Sequence, residues 1–291
     1  MSELTLSLSP TPDPAEHNAF FPSPHSLSQF TSPKSNLSDT SYPQKYTGKT
    51  NKILVIAADE RYLLMQDGSM FSTGNHPVET LLPMYHLDQA GFEFEIATLS
   101  GNPAKFELWA MPNEDEQVRY IYEKYLPQFR QPKALQAVID QQLGDDSDFA
   151  AVFIPGGHGA LIGIPFSPAV KQVLVWAHQQ DKFVISLCHG PAGLLAAGID
   201  EDQNSYIYSG YKICAFPDAA DKQTPDIGYM PSQLPWFFGE KLAALGVEIV
   251  NQDITGQCIQ DRKLITGDSP FAANEIGKLS ARALLKAFAV I

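Results

Sequence analysis

Three short apolar runs constrain this chain more than any other feature. Ile53–Ala58, Phe149–Ile154 and Phe183–Leu187 carry almost no polar alternation. A strand with one wet face alternates polar and apolar residues; a strand covered on both faces does not. These runs therefore predict central strands of a parallel sheet. Helix-like patterns lie between them. His76–His86, stopped by Gly91, leads into a strand at Phe92–Ala97, which makes one βαβ unit. Residues 168–180 predict a helix, and Pro191–Ala197 another, closed by Gly198. Gln257–Gln260 and Lys263–Thr266 flank Asp261-Arg262 and predict a hairpin. The last helix repeats apolar residues at Ile276, Leu279, Ala283, Leu284 and Phe288. The alternation predicts an α/β fold, a doubly wound parallel sheet with flanking helices. Sites in such sheets lie beyond the carboxyl ends of the strands.

Two segments break the rhythm. Ser and Pro fill 17 of the first 46 positions. Residues 1–15 are expected to be disordered. Residues 16–46 are expected to form an extended arm on the core or on a second subunit, because Asn18-Ala-Phe-Phe-Pro22 sets two aromatics side by side. Residues 102–146 are polar, carry Trp109, and are expected to form an inserted lid or small domain. The core is then 47–101 and 147–291.

Composition removes several function classes. No apolar run exceeds six residues, against about twenty for a membrane-spanning helix. A net charge of -13 opposes binding to a phosphate backbone. Three cysteines without a CxxC pair oppose a structural zinc site and a disulfide framework. The first residues lack the basic and apolar regions of a signal peptide, so a cytoplasmic protein is expected.

The strongest chemical signal is Ser186-Leu-Cys188-His-Gly190. It sits between an apolar strand and an Ala- and Leu-rich helix, with small residues two before and two after the cysteine. That is the pattern of a nucleophile elbow, where a crowded turn tolerates only small flanks. A helix N-terminus is expected to favour the thiolate. Cys214 and Cys258 sit in strand-like runs and read as inert core thiols. Ile154-Pro-Gly156-Gly157-His158-Gly159 follows a neighbouring strand; without a Gly-Lys-Ser/Thr it reads as a source of oxyanion-binding N–H groups at Gly156 and Gly157, not as a phosphate loop. Glu79, three residues after His76, is an ordinary surface acid unless it points at Cys188; then its pKa rises and it can move protons. His189 is a candidate base, and either Asp218 or Asp221 can orient it.

Together these segments resemble the DJ-1/PfpI superfamily, and within it a bacterial heat-shock type. The most specific stretches are Ile53–Arg61, Phe71–Pro77, Pro155–Ile162, Leu187–Pro191, Ala215–Pro225 and Thr266–Ala273. The resemblance implies a flavodoxin-like core, a small second domain and a homodimer. It implies Cys188 as nucleophile, Glu79 as its carboxylic partner, and His189 with Asp221. It also implies glyoxalase III chemistry without a required cofactor: methylglyoxal or glyoxal adds to the thiol, and methylglyoxal leaves as lactate. Deglycation of proteins and nucleotides, and chaperone activity on unfolded proteins, are further implications. The family's metal ligands, two His and one Glu, fall on Asp88, Glu93 and Tyr125 here. Losing both imidazoles disfavours zinc and leaves at most a weaker, harder-ion site.

Two other function classes stay in view. An ATP-independent holdase draws support from the aromatic arm and the Trp- and Tyr-bearing insertion, and would survive loss of Cys188. A cysteine peptidase-like hydrolase wants a separate histidine; none follows His189, and His76, His86 and His158 lie upstream. No membrane partner and no stable nucleic-acid complex are expected.

Overall fold

The computed structural model describes residues 6–38 and 40–288; the expected disorder at residues 1–5 lies outside that range. The chain builds β1 (Thr11–Pro12), β2 (Ala19–Phe21), α1 (Pro24–Phe30), β3 (Lys52–Ile56), β4 (Tyr62–Leu64), β5 (Met70–Ser72), α2 (Pro77–Gln89) and β6 (Glu93–Thr98). It continues with α3 (Glu116–Arg130), β7 (Lys133–Ala134), α4 (Leu135–Gln142), β8 (Phe149–Ile154), α5 (Pro168–Gln179) and β9 (Phe183–Leu187). Last come β10 (Lys212–Ile213), α6 (Asp218–Asp221), α7 (Phe238–Ala244), β11 (Glu248–Ile249), β12 (Cys258–Asp261), β13 (Leu264–Gly267) and α8 (Ala273–Phe288).

The main sheet runs β12-β13-β9-β8-β3-β6-β7. Every pairing is parallel except the β12–β13 hairpin. The apolar runs occupy its centre, as their composition requires: all six side chains of β8 and all five of β9 are buried. Each large side chain so buried contributes roughly 1.5–3 kcal/mol. Alternate residues face opposite layers. Leu54, Val152 and Val184 face the layer containing α4 and α5; Ile53, Val55, Phe153 and Ile185 face the one containing α2, α3 and α8. This is the doubly wound sheet that the alternation predicts.

The amino-terminal segment is more ordered than its composition suggests. Thr11–Pro12 pairs with Phe20–Phe21, and β2 pairs with β5 in a second sheet ordered β1-β2-β5-β4. Asp13 takes hydrogen bonds from Ser72 Oγ and the Ala15 N–H. The described part of residues 1–15 is therefore held by pairing that low hydrophobicity does not forecast. The arm from 16 to 46 does lie on the core: Tyr46 stacks on Phe92, and Tyr42 Oη meets His86 Nδ1 at 2.7 Å.

Residues 102–146 share the core rather than standing apart from it. Val118, Ile121, Tyr125 and Phe129 of α3 are buried beside α2, and β7 extends the main sheet next to β6. The segment is polar because α3 is amphipathic, with its apolar stripe turned inward. Among the described residues no single helix is long and apolar enough to cross a membrane.

Candidate active site

The site forms where β9, β8 and β3 end. Cys188 follows β9 with φ +57°, a left-handed conformation that costs a non-glycine residue energy and marks the elbow. Its N–H donates to Gly267 O at 2.9 Å, and Phe216 N–H donates to Cys188 O at 3.0 Å. The small flanks do what the elbow needs. Ser186 Oγ donates to Ile154 O at 2.9 Å, and a Cβ on Gly190 would strike that same Ser186 hydroxyl and two β8-end carbonyls. The segment after the elbow, Gly190–Gly198, is a 3₁₀ helix rather than the α-helix that its apolar run suggests.

His189 turns back onto the cysteine. Its Nδ1 lies 3.2 Å from Cys188 Sγ, and its Nε2 lies 2.9 Å from Asp221 Oδ2. The hydrogen-bond pattern assigns the proton to Nε2, which leaves Nδ1 as acceptor for the thiol. Of the two loop acids, Asp221 is the one that meets His189. Asp218, its rival in the sequence, instead accepts the N–H groups of Gly239 and Glu240.

Glu79 approaches from α2 and is fully buried. Neither carboxyl oxygen makes a hydrogen bond of full geometry, though Cys188 and the Gly157 N–H lie close enough to bias its charge. Burial pushes its carboxyl well above the ordinary range, so the resting group is a neutral acid. Gly156 makes this approach possible. A Cβ there would overlap a Glu79 oxygen and come within 2.9 Å of Cys188 Cβ. Gly157, at φ +99°, fits against Gly74 O and the His76 N–H, where a Cβ would collide. Its own N–H faces both Glu79 and Cys188.

The thiol is not acidic at rest. Burial pushes the Cys188 thiol well above its ordinary value. The expectation of a helix-stabilised thiolate is thus corrected: desolvation of a side chain only 4% exposed outweighs the dipole of a short 3₁₀ turn.

Three further residues join the site. His158 Nε2 meets Asp221 Oδ1 at 3.1 Å, so one carboxylate holds two imidazoles whose ring centroids lie 3.9 Å apart. His76 caps α2 through its Nδ1, 3.5 Å from the Glu79 N–H; burial, then the two neighbouring histidines, lower its pKa to about 3. Glu107 is buried beyond His158. It accepts from Thr73 Oγ1 at 2.6 Å, and burial raises its pKa to about 7. His158 was visible beside the glycine pair, at the end of a strand that neighbours the elbow strand. Nothing local to Glu107 marks it; it lies in the stretch expected to be a lid.

Metal-type donors come together at His158, His189 and Asp221. Both nitrogens there already face Asp221 oxygens at hydrogen-bond distance, so shared protons satisfy the group. The positions Asp88, Glu93 and Tyr125 do not fit a zinc ion. Asp88 is paired with Lys124 Nζ at 2.5 Å, and burial, then Asp88 and Glu93, hold the Tyr125 phenol above its usual range. The donor set is two carboxylates and a protonated phenol, with no imidazole.

Residues 70–212 match the DJ-1/PfpI family. The chain is similar to the protein/nucleic acid deglycase HchA of Pseudomonas aeruginosa, 59% identical over 289 residues and covering 99% of each chain. It is likewise similar to protein/nucleic acid deglycase 1 of Escherichia coli, 59% identical over 283 residues, 97% of this chain and 98% of that one. Two crystal structures share the fold. The 24 kDa Rapid Encystment Protein of Francisella tularensis has a TM-score of 0.66 at 16% identity, over 80% of this chain and 99% of that one. Glyoxalase III of Candida albicans has a TM-score of 0.61 at 17% identity, over 80% and 98%.

Proposed function

This chain belongs to the DJ-1/PfpI family, and from that premise we propose that it is a cysteine-dependent enzyme of reactive dicarbonyls. It converts methylglyoxal to lactate and accepts glyoxal; it also removes early glycation adducts from proteins and nucleotides, a role in line with the protein/nucleic acid deglycase names of its full-length relatives. The observation that carries this reading is Cys188 on its elbow, between the imidazole of His189 and the neutral carboxyl of Glu79.

The chemistry follows from the resting protonation states. The Cys188 sulfur attacks the aldehyde carbon and its proton passes to His189 Nδ1, with Asp221 stabilising the imidazolium. The new oxyanion faces the Gly157 N–H and takes that proton back, giving a hemithioacetal. His189 then removes the hydrogen from the former aldehyde carbon while Glu79 gives its proton to the neighbouring carbonyl oxygen, giving an enediol. His189 returns a proton to the second carbon, and Glu79 recovers its own from the first hydroxyl. The product is a lactoyl thioester. Water, activated by His189, releases lactate and restores the thiol. Every proton moved here comes from the substrate, a side chain of this protein or water, so we propose that no cofactor is required.

We further propose a cytoplasmic homodimer. The aromatic arm is engaged with the core through Tyr42 and Tyr46, so a holdase surface there would rest on what stays exposed, Phe30 among it.

Lactate formation from methylglyoxal without glutathione, in the wild type and in Cys188→Ala and Glu79→Gln, tests the proposal. Turnover that collapses in both variants supports it. Turnover untouched by Cys188→Ala overturns it and brings the holdase forward. Deglycation is tested separately, on preformed adducts with the free aldehyde trapped.

A further inference from the structure

We propose that His158 is a positioning residue of this site, the second anchor of Asp221, and that Glu107 behind it sets how readily His189 accepts the Cys188 proton. The proposal rests on the geometry of one carboxylate and on the reading of Cys188 as nucleophile.

Asp221 is fully buried and each of its oxygens meets one imidazole: His189 at 2.9 Å and His158 at 3.1 Å. A carboxylate held on one oxygen can rotate. Held on both, it has one orientation, and His189 inherits it. The two imidazoles lie 3.9 Å apart at a 36° tilt, and Phe71 packs edge-on against His158 at 5.5 Å, which restricts how far that ring can swing. Desolvation and the neighbouring His189 lower the His158 pKa, so the ring is a neutral donor at rest. A neutral second donor satisfies Asp221 without cancelling its charge. That keeps Asp221 ionised and available to the imidazolium that forms on His189.

Glu107 closes the chain of groups on the other side of His158. It is fully buried, with Oε1 on Thr73 and Oε2 without a hydrogen bond of full geometry, although the His158 N–H lies close enough to favour its charge. A buried carboxyl with one oxygen so poorly bonded is costly unless it serves the site. The groups that face it come from several elements: Arg61 after β3, Glu79 of α2, His158 after β8, and Tyr229 after α6. Of these, His158 and Arg61 favour its charge, while burial opposes it and leaves it titrating at about 7. When Glu107 ionises, it adds negative charge behind the two imidazoles. That favours positive charge on them and so favours proton transfer from Cys188.

The experiment follows Cys188 directly, by its rate of alkylation with iodoacetamide across pH, beside kcat and KM for methylglyoxal. His158→Ala removes the second anchor and is expected to lower alkylation and kcat by about ten- to a hundredfold, the scale of losing one partner of a buried charged group. KM should hold. His158→Gln keeps an N–H donor and is expected to recover most of that loss. Glu107→Gln removes the ionisation, so the rise in alkylation through about pH 7 should flatten, while the melting temperature holds or rises. An unchanged alkylation profile in His158→Ala or Glu107→Gln overturns the proposal. So does a His158→Gln variant as impaired as His158→Ala with both unfolding early, which makes the ring a packing element only. If His158→Ala does not fold, the two glutamine variants decide. Because alkylation needs no substrate, a failed lactate assay with the predicted alkylation profile would discard the proposed reaction and keep this inference.

Discussion

Cys188 and Cys214 start from the same condition and end in different roles. Both are buried beyond the end of a strand, and burial pushes both thiols up, Cys214 to about 12. Resting acidity does not separate them. Geometry does. Cys188 stands at φ +57° with an imidazole nitrogen 3.2 Å from its sulfur and a neutral carboxyl opposite. Cys214 has no positive φ, and its N–H ties it to Thr266 Oγ1 at 2.9 Å. The acid nearest it in effect, Asp268, already accepts the N–H groups of Thr255, Gly256 and Gln257. What separates the two thiols is an imidazole beside one sulfur, not a charge already on it.

The comparison breaks most visibly if the two thiols are deleted in turn. Cys188→Ala is expected to abolish lactate formation by a thousandfold or more, on the order seen when one member of a nucleophile–base unit is lost. Cys214→Ala should leave kcat unchanged and cost about 1 kcal/mol in urea unfolding. Equal losses of activity would show that the base at 3.2 Å is not what matters. Next in size, Asp221→Asn keeps the shape but turns an N–H toward one imidazole. Steady-state kinetics should show kcat down by up to about 10⁴-fold with KM little changed. A loss below tenfold would mean that His189 keeps its tautomer without the carboxylate.

A third change adds one methyl. Gly156→Ala places a Cβ against the Glu79 carboxyl and 2.7 Å from Leu187 O. Overpacking of this kind costs about 1–3 kcal/mol. Activity is expected to fall further than stability, because the displaced groups are the acid and the thiol; an active, merely destabilised variant would say that Glu79 need not approach Cys188.

The smallest effect concerns His76, whose ring burial keeps neutral at the start of α2. The folded pKa of His76 lies near 3, below its unfolded value of about 6.5. Between those values the unfolded chain binds the extra proton. His76 therefore contributes stability that is complete above about pH 6.5 and is lost as pH falls toward 3, with a slope of up to about 1.4 kcal/mol per unit. Glu107, raised to about 7, acts in the opposite sense over an overlapping range and masks part of the slope. His76→Asn keeps an N-cap but not the charge. Its melting temperature should fall less on acidification than that of the wild type. Equal falls would place the acid sensitivity elsewhere.

The fold was readable from residues because its cause is local. Six apolar side chains in a row at β8 leave a strand no wet face, and Phe183–Leu187 followed by Cys188-His-Gly190 spells a strand, a sharp turn and a helix-like segment. The same locality made Cys188 the best candidate and left Cys214 and Cys258 aside. Where the reading failed, the reason lies in contacts between distant segments. Asp13 is held by Ser72, so part of the amino-terminal stretch is ordered despite its Ser and Pro content. Helix α3 looks polar on average, yet its inward stripe belongs to the same core as α2.

Long-range choice explains the rest. Asp218 and Asp221 are indistinguishable as loop acids; α7 takes one, and the two imidazoles take the other. Glu107 carries no mark in its own neighbourhood and becomes part of the site only because Thr73 and His158 close over it. The thiol pKa is the sharpest case. Spacing alone points toward a helix dipole and a thiolate, while the folded chain buries the sulfur, and desolvation favours the neutral thiol. Pattern along the chain settles backbone conformation, which depends on a residue and its near neighbours. Charge state and partner choice depend on desolvation, a sum over atoms brought together from across the whole sequence, and that sum exists only once the chain has folded.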